Sequence, residues 1–393
     1  MKNRNTLQIA HVTHSFPPYE AGTGRVCYFN ALELGRLGHD VTVFTPDYPQ
    51  AERAYPSEFT VKRLDTPFKI GNAPFMPYLL HVLQGFDIVH LHYPFIFGAE
   101  FVWLACKRLG IPYVLTHHND LLTEGVNLRH ILFKLYFPVS KYLTARQASK
   151  WIVVSRDHAQ NCNLTPLFTQ RWSDVHEVPN GVDLSVFRPI DNPQIRNQYG
   201  IPQDDFLILY VGALDRAHLF KGVQRLIEAA SRLANNHWHL LIVGDGDMKT
   251  TYENTAIAFG VESRCTFSGR VAHNALPVYY SAADVLVLPS SPPESFGMVL
   301  IEAGACETAV IASNIPGVRH VVQDGFDGLL VNVNDVTDLV DKLTYCINTP
   351  EITKIFGKNG YQKVIKKYNW ASVAPLLVAV YHQAIDAHLA GQS

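Results

Sequence analysis

FLILYVGALDRAHLFKGVQRLIEAASRLANNHWHLLIVG, residues 206–244, carries two apolar runs, FLILYVG (206–212) and WHLLIVG (238–244), on either side of a longer mixed segment. Neither run alternates polar with apolar, which is what a strand covered on both faces requires. Between them Val223, Leu226, Ile227, Ala230 and Leu233 recur at three- and four-residue spacing, giving a helix one apolar stripe to lay on a sheet. Strand, helix, strand is the unit of a parallel sheet, because parallel neighbours need a long crossover.

The unit repeats in both directions. Downstream come CTFSG (265–269), VLVLPS (285–290), AVIAS (309–313) and GLLV (328–331); upstream come LQIAHV (7–12), VTVFT (41–45), DIVHLH (87–92), YVLTH (113–117) and WIVVS (151–155). A chain of 393 residues exceeds what one core usually supports. The expected fold is therefore α/β, with two Rossmann-like βαβ domains facing across a cleft lined by loops at the carboxyl ends of the strands. VPNGVDLSVFRP (178–189), rich in Pro and Asn-Gly, reads as the hinge. The expected bounds are 1–184, 185–366 and a C-terminal helix over 367–393 packing back toward the N-terminal domain.

Composition narrows the function classes. Thirty-three Lys and Arg against 35 Asp and Glu leave a charge of −2, so no global attraction draws the chain to nucleic acid or anionic lipid. The six cysteines are scattered without a C-x-x-C pair, which argues against a zinc site and against a disulfide framework. MKNRNT (1–6) runs into a strand without the apolar core of a signal peptide, and FIFGAEFVWLAC (95–106) is too short and carries Glu100, so no span is expected. The reading is a cytoplasmic protein, at the inner face of the membrane if it touches one. The sequon at Asn163 then counts as a chance match.

In SPPESFGMVLIEAGACE (291–307), Glu294 stands in a loop and Glu302 on the helix that follows. At about 1.5 Å of rise per helical residue, the two carboxylates stand too far apart to act as a glycosidase pair and suit two ends of one extended ligand. The helix start between them, Ser295, Phe296, Gly297 and Met298, offers N–H groups and a positive dipole end to a diphosphate. The plainer reading makes both glutamates ordinary charges flanking a helix.

PSSPPESFGMVLIEAGACETAVIASNIPGVRHVVQDGFDGLLV (289–331) resembles the large retaining glycosyltransferase family four, of GT-B fold. Further matches are PPYEAGTGRVCYFNALELGRLGHDVTVFTP (17–46), VLTHHND (114–120), VPNGVDLSVFRP, YVGALDRAHLFKGVQRLIEA (210–229), IVGDGD (242–247) and FSGRV (267–271), so the resemblance covers nearly the whole chain. It implies a hexosyltransferase that takes a UDP- or GDP-hexose as co-substrate and a hydroxyl acceptor such as a lipid or growing glycan. In that family the first glutamate holds donor sugar hydroxyls and the second grips the nucleotide ribose, which places Glu294 and Glu302. Lys221 matches the lysine that neutralises the diphosphate, and His118 the histidine near the anomeric carbon. Asp120 follows it. Gly22 and Gly24 match the loop that brings backbone to the donor, and Gly212 begins the corresponding loop of the second half.

Two departures stand out. Where the family has Gly-Arg this chain has Gly212-Ala213, and Arg216, three residues on, is either a relocated phosphate clamp or a surface charge. ACETAV puts Glu307 and Ala309 where the family has Gly and Pro. No cofactor or metal is expected: D-x-D is missing, and His117 and His118, as strand neighbours, point to opposite faces and cannot easily share an ion. His90 and His92 share one face and read as core or cleft-wall histidines with satisfied hydrogen bonds. Residues 74–142, with Lys134 and Lys141, read as core, as an acceptor groove or as a peripheral bilayer contact. The competing functions are a nucleotide-sugar epimerase of the same fold and a noncatalytic nucleotide-sugar sensor.

Overall fold

A computed structural model describes residues 6–18, 22–48, 55–70, 73–120, 128–191, 194–234 and 236–391, the side chains of 128–133 excepted. The chain forms two compact units, one built from residues 1–180 and 370–393, the other from 181–369.

The first unit carries strands β1 (Gln8–Val12), β2 (Asp40–Pro46), β3 (Thr60–Leu64), β6 (Ile88–Tyr93), β7 (Tyr113–His117), β8 (Lys150–Val153) and β9 (Val175–Glu177), with a small hairpin of β4 (Lys69–Ile70) and β5 (Ala73–Pro74). Its seven-stranded sheet runs β3-β2-β1-β6-β7-β8-β9 and is parallel throughout. The second unit carries β10 (Phe206–Val211), β11 (Trp238–Val243), β12 (Cys265–Gly269), β13 (Val285–Leu288), β14 (Ala309–Ser313) and β15 (Gly328–Val331). They form a parallel sheet in the order β12-β11-β10-β13-β14-β15. Both sheets reverse direction beside their first strand, at β1/β6 and at β10/β13, and an open sheet forms its ligand crevice at that switch point. The α/β architecture and the two Rossmann-like sheets expected from the sequence are found.

The central strands β6 and β10 are buried at every position, β10 as an unbroken apolar run and β6 with the buried His90 and His92 interleaved among apolar residues. The helix Val223–Ser231 buries Val223, Leu226, Ile227 and Ala230 of the stripe read from spacing, with Ala229 beside them, and Leu233 is buried just beyond its end. The stretch 95–106 leads into the helix Ala99–Leu109, which ends at Gly110 (φ +65°), whose N–H bonds the Cys106 carbonyl. Among the described residues no helix is long and apolar enough to cross a membrane. The sequence reading lacked β3 and β9, both at sheet edges.

The helix Trp370–Ala390 belongs to the first unit. Its Val373, Leu377, Val380, Tyr381 and Ala384 join the core formed by Leu7, Ile9, Val26 and Ile88, and the Trp370 ring stacks on Phe29 at 5.3 Å. Glu307 adopts a left-handed backbone at φ +60°, where a side chain is strained and glycine is not.

Candidate active site

In the second unit, neighbouring strands β10 and β13 each feed a loop at the switch point. After β10, Gly212 turns beneath the Tyr210 hydroxyl: a Cβ there would lie 2.7 Å from it and 3.3 Å from Lys221 Cδ. Asp215 then caps the turn Arg216–Lys221 by accepting from the His218 N–H at 3.1 Å. Gly222 (φ +77°) carries the chain into its helix, so close to the Pro289 carbonyl that a Cβ would lie 2.3 Å away. The loops are laced at three points. Ser291 donates from N–H and Oγ to the Phe220 carbonyl at 2.7 and 3.2 Å, Arg225 Nη2 donates to the Pro289 carbonyl at 2.9 Å, and Lys221 Nζ donates to Glu294 Oε2 at 2.8 Å.

The Lys221–Glu294 pair is largely sheltered from solvent and charge-assisted, so each group holds the other in position. Gly297 (φ +78°) precedes the helix Met298–Ala305, and a Cβ on it would strike Leu288 Cδ2 at 2.7 Å. That left-handed residue aims the first helical N–H groups, which have no partner within the helix, beyond the strand ends. The Phe296 side chain is buried edge-on against Tyr368, with ring centroids 5.8 Å apart; it anchors the loop, and only its backbone is available to a ligand. Ser295 and Met298 are half-buried beside it.

Glu302 lies farther along that helix, 5 % exposed, with Oε2 accepting from the Tyr280 hydroxyl at 2.7 Å and Oε1 lying 4.0 Å from His273 Nδ1. Tyr280 and His273 escaped the sequence reading, since no local pattern links them to this carboxylate. Arg216 stands apart: its side chain is 80 % exposed, and Nε lies 3.3 Å from Asp247 Oδ2. Its ion pair is with Asp247, not with the Lys221–Glu294 pair.

In the first unit, the called residues follow β1 and β7. Gly22 opens the helix Gly22–Arg36 with space around a would-be Cβ, whereas a Cβ on Gly24 would lie 2.7 Å from the Ser15 carbonyl oxygen. Gly24 is thus required by close packing of its own unit. Buried His118 shares a 2.9 Å hydrogen bond between its Nε2 and His92 Nδ1, and His92 Nε2 shares another at 2.9 Å with His11 Nδ1. His90 meets the Tyr381 hydroxyl at 2.7 Å and Thr116 Oγ1 at 2.6 Å, so His90 and His92 are the satisfied core histidines their alternation suggested. Burial pushes His118 and His11 down to about 3, and His90 and His92 well below the usual imidazole range. His118 is therefore a neutral hydrogen-bonding group at physiological pH.

Asp120 turns the other way, accepting from the Asn163 N–H at 2.9 Å with its Oδ1 3.2 Å from His117 Nε2. Burial alone would lower His117, but its close contacts with Asp120 and Cys162 together outweigh it and raise the imidazole to about 9.

Residues 191–363 match the family described as Glycosyl transferases group 1, and residues 21–186 match Glycosyltransferase Family 4. The D-inositol 3-phosphate glycosyltransferase of Xylanimonas cellulosilytica is 30 % identical over 77 % of this chain and 74 % of its own. This chain belongs to that glycosyltransferase family. The sucrose-phosphate synthase of Thermosynechococcus elongatus superposes with a TM-score of 0.77 at 24 % identity, covering 96 % of this chain and 99 % of the other. Anabaena Alr3699/HepE in complex with UDP-glucose superposes at 0.73 with 18 % identity, covering 96 % and 99 %. The fold is GT-B, and this family 4 glycosyltransferase has its family's ESFG segment on the loop and helix described above.

Proposed function

We propose that this glycosyltransferase moves a hexose from a UDP- or GDP-hexose to a hydroxyl acceptor, with retention of anomeric configuration and without a divalent metal. The observation that carries the reading is the Lys221–Glu294 pair at the β10/β13 switch point, beside the start, shaped by Gly297, of the helix that carries Glu302. In this reading Glu294 holds sugar hydroxyls, Glu302 grips the ribose, and Lys221 with the N–H groups of residues 296–298 meets the diphosphate. Gly22, with open space around it, leaves room for donor backbone contacts, Gly212 lets Tyr210 and Lys221 pack over the β10 loop, and neutral His118 hydrogen-bonds the sugar near the reacting carbon. Asp120, tied to Asn163, supports the His118 loop, and Gly24 shapes the loop from beneath. Arg216 is assigned no contact with the leaving group.

The acceptor oxygen attacks the anomeric carbon, the bond from that carbon to the β-phosphate oxygen breaks, and this oxygen takes the acceptor proton. Negative charge grows on the diphosphate, so a fixed cation and aligned N–H groups stabilise the transition state more than the ground state. The UDP-glucose complex of Alr3699/HepE supports a nucleotide-sugar donor. Leu135, Val139 and Tyr142 form an exposed apolar stripe on the helix Leu128–Leu143, with exposed Lys134 beside it, which favours an acceptor presented at a lipid surface.

The test is incubation with labelled UDP- and GDP-hexoses and lipid-linked, glycan and cyclitol acceptors. A new glycoside whose anomeric configuration matches the donor by NMR is expected. Isomerised donor without glycoside, or an inverted product, overturns the reading.

A further inference from the structure

The face of β7 opposite His118 ends in a second cluster, which the glycosyl-transfer reading does not use. His117 closes β7; His158 lies in the turn Arg156–Ala159 after β8; Cys162 follows it by four residues. The three are 1 %, 6 % and 8 % exposed, and one ligand atom from each lies within 4.8 Å of the others. The His117 and His158 rings lie parallel, 13° apart in plane, with centroids 5.6 Å apart.

Their hydrogen-bonding state sets the cluster apart. Both ring nitrogens of His117 and Nε2 of His158 are buried with no well-aligned hydrogen-bond partner. A buried polar atom left unpaired costs about 1–3 kcal/mol, and an ion that engages one nitrogen of each imidazole removes that cost at both rings. The other buried group of this composition, His11, Cys27 and His92, lacks that property, because the nitrogens of His92 are already shared with His11 and His118.

We propose that His117, His158 and Cys162 bind a zinc(II) ion. Two imidazoles and a thiolate form a donor set that selects zinc over magnesium or calcium. On binding, the thiol proton and the proton on the coordinating His117 nitrogen leave to solvent while both metal–ligand bonds form. Asp120, with Oδ1 3.2 Å from His117 Nε2 and itself held by the Asn163 N–H, is an outer carboxylate of the kind that orients metal-bound imidazoles. The ion staples the segment after β7 to the segment after β8, one residue from His118. The site is structural and stands whatever the donor is.

The full chain, freed of any affinity tag, is dialysed against zinc(II) chloride and desalted, and its metal is counted by mass spectrometry. One zinc per chain is expected for the wild type and for Cys27→Ser, and none for the folded double variant Cys162→Ser with His158→Gln. Cobalt(II) in place of zinc should give a thiolate-to-metal band that survives Cys27→Ser and is lost in Cys162→Ser. A wild-type chain holding less than about half an equivalent, or a folded double variant holding more, overturns the site. Should the double variant fail to unfold cooperatively, the wild-type cobalt(II) spectrum decides, and absence of the thiolate band overturns the proposal.

Discussion

Lys221 and Glu294 stand 73 residues apart in sequence and 2.8 Å apart in space, on loops that leave neighbouring strands at the reversal of the second sheet. An incoming donor must therefore share, or break, an ion pair that already exists. Glu294 and Glu302 should consequently fail differently. Glu294→Ala is expected to lower turnover by at least about a hundredfold, because a contact near the reacting carbon counts most in the transition state. It should leave UDP and GDP affinity within about threefold. Glu302→Gln keeps an acceptor for Tyr280 but loses a charged contact to the ribose, worth about 1.5–3 kcal/mol, or roughly tenfold to a hundredfold in nucleotide affinity. Calorimetric titration of free nucleotide checks both, and equal affinity losses would reverse or merge the two assignments.

Lys221 and Arg216 separate in the same way. Lys221→Ala is expected to cost about a hundredfold to a thousandfold in turnover at saturating donor. Arg216→Ala should stay within about threefold, since an exposed pair such as Arg216–Asp247 contributes about 0–1 kcal/mol. A hundredfold loss in Arg216→Ala would make it the missing family cation, relocated from position 213.

Turnover should be the same within about twofold in chelator-treated buffer and with added magnesium or manganese, because in the proposed mechanism Lys221 and helix N–H groups meet the diphosphate charge. A requirement for either ion refutes this. Zinc content is followed in the same samples, so that loss of a structural ion is not mistaken for loss of a catalytic one.

Acid should unfold the first unit early. His11 is pushed down to about 3 and His14 to about 4, and His90 and His92 fall well below 6.5, all through burial first. The unfolded chain therefore binds these protons at a pH where the folded chain does not. The stability these four contribute is complete above about pH 6.5 and falls as pH drops, by up to about 1.4 kcal/mol per pH unit for each histidine. Denaturant unfolding between pH 7 and 5 should show uptake of more than two protons; a flat profile would mean that these imidazoles charge in the folded state.

Glu307→Gly should raise stability by about 0.5–1 kcal/mol, since it relieves a side chain at φ +60°. Thermal unfolding reads the shift, and a lower midpoint would show that the Glu307 side chain stabilises the turn.

Strands buried on both faces were legible because their composition reports their environment directly. TVKRL at β3 and VHE at β9 were not: edge strands are half-solvated, and Lys62 and Arg63 mask the apolar signal. Alternation marked His90 and His92 as one face, but His11 and His118 join them only because β1, β6 and β7 lie side by side, which depends on strand order. The scattered cysteines argued against a zinc site for the same reason. Cys162 meets His117 through the parallel pairing of β7 with β8, a juxtaposition without a local spacing signature. Likewise Glu302 was legible from its motif, while Tyr280 and His273 were not.

The Trp370–Ala390 helix turns the second unit into an insertion within the first. Val182 pairs with Asn369 in a parallel bridge, and its N–H donates to the Tyr368 carbonyl at 2.7 Å, so the insertion enters and leaves at one point. During synthesis, residues 181–369 can therefore reach their native contacts while the first unit still lacks the helix that seals Ile9, Val26 and Ile88. The segment emerging first from the ribosome finishes last, and a chain stopped at Asn369 would carry a finished second unit on an unsealed first one.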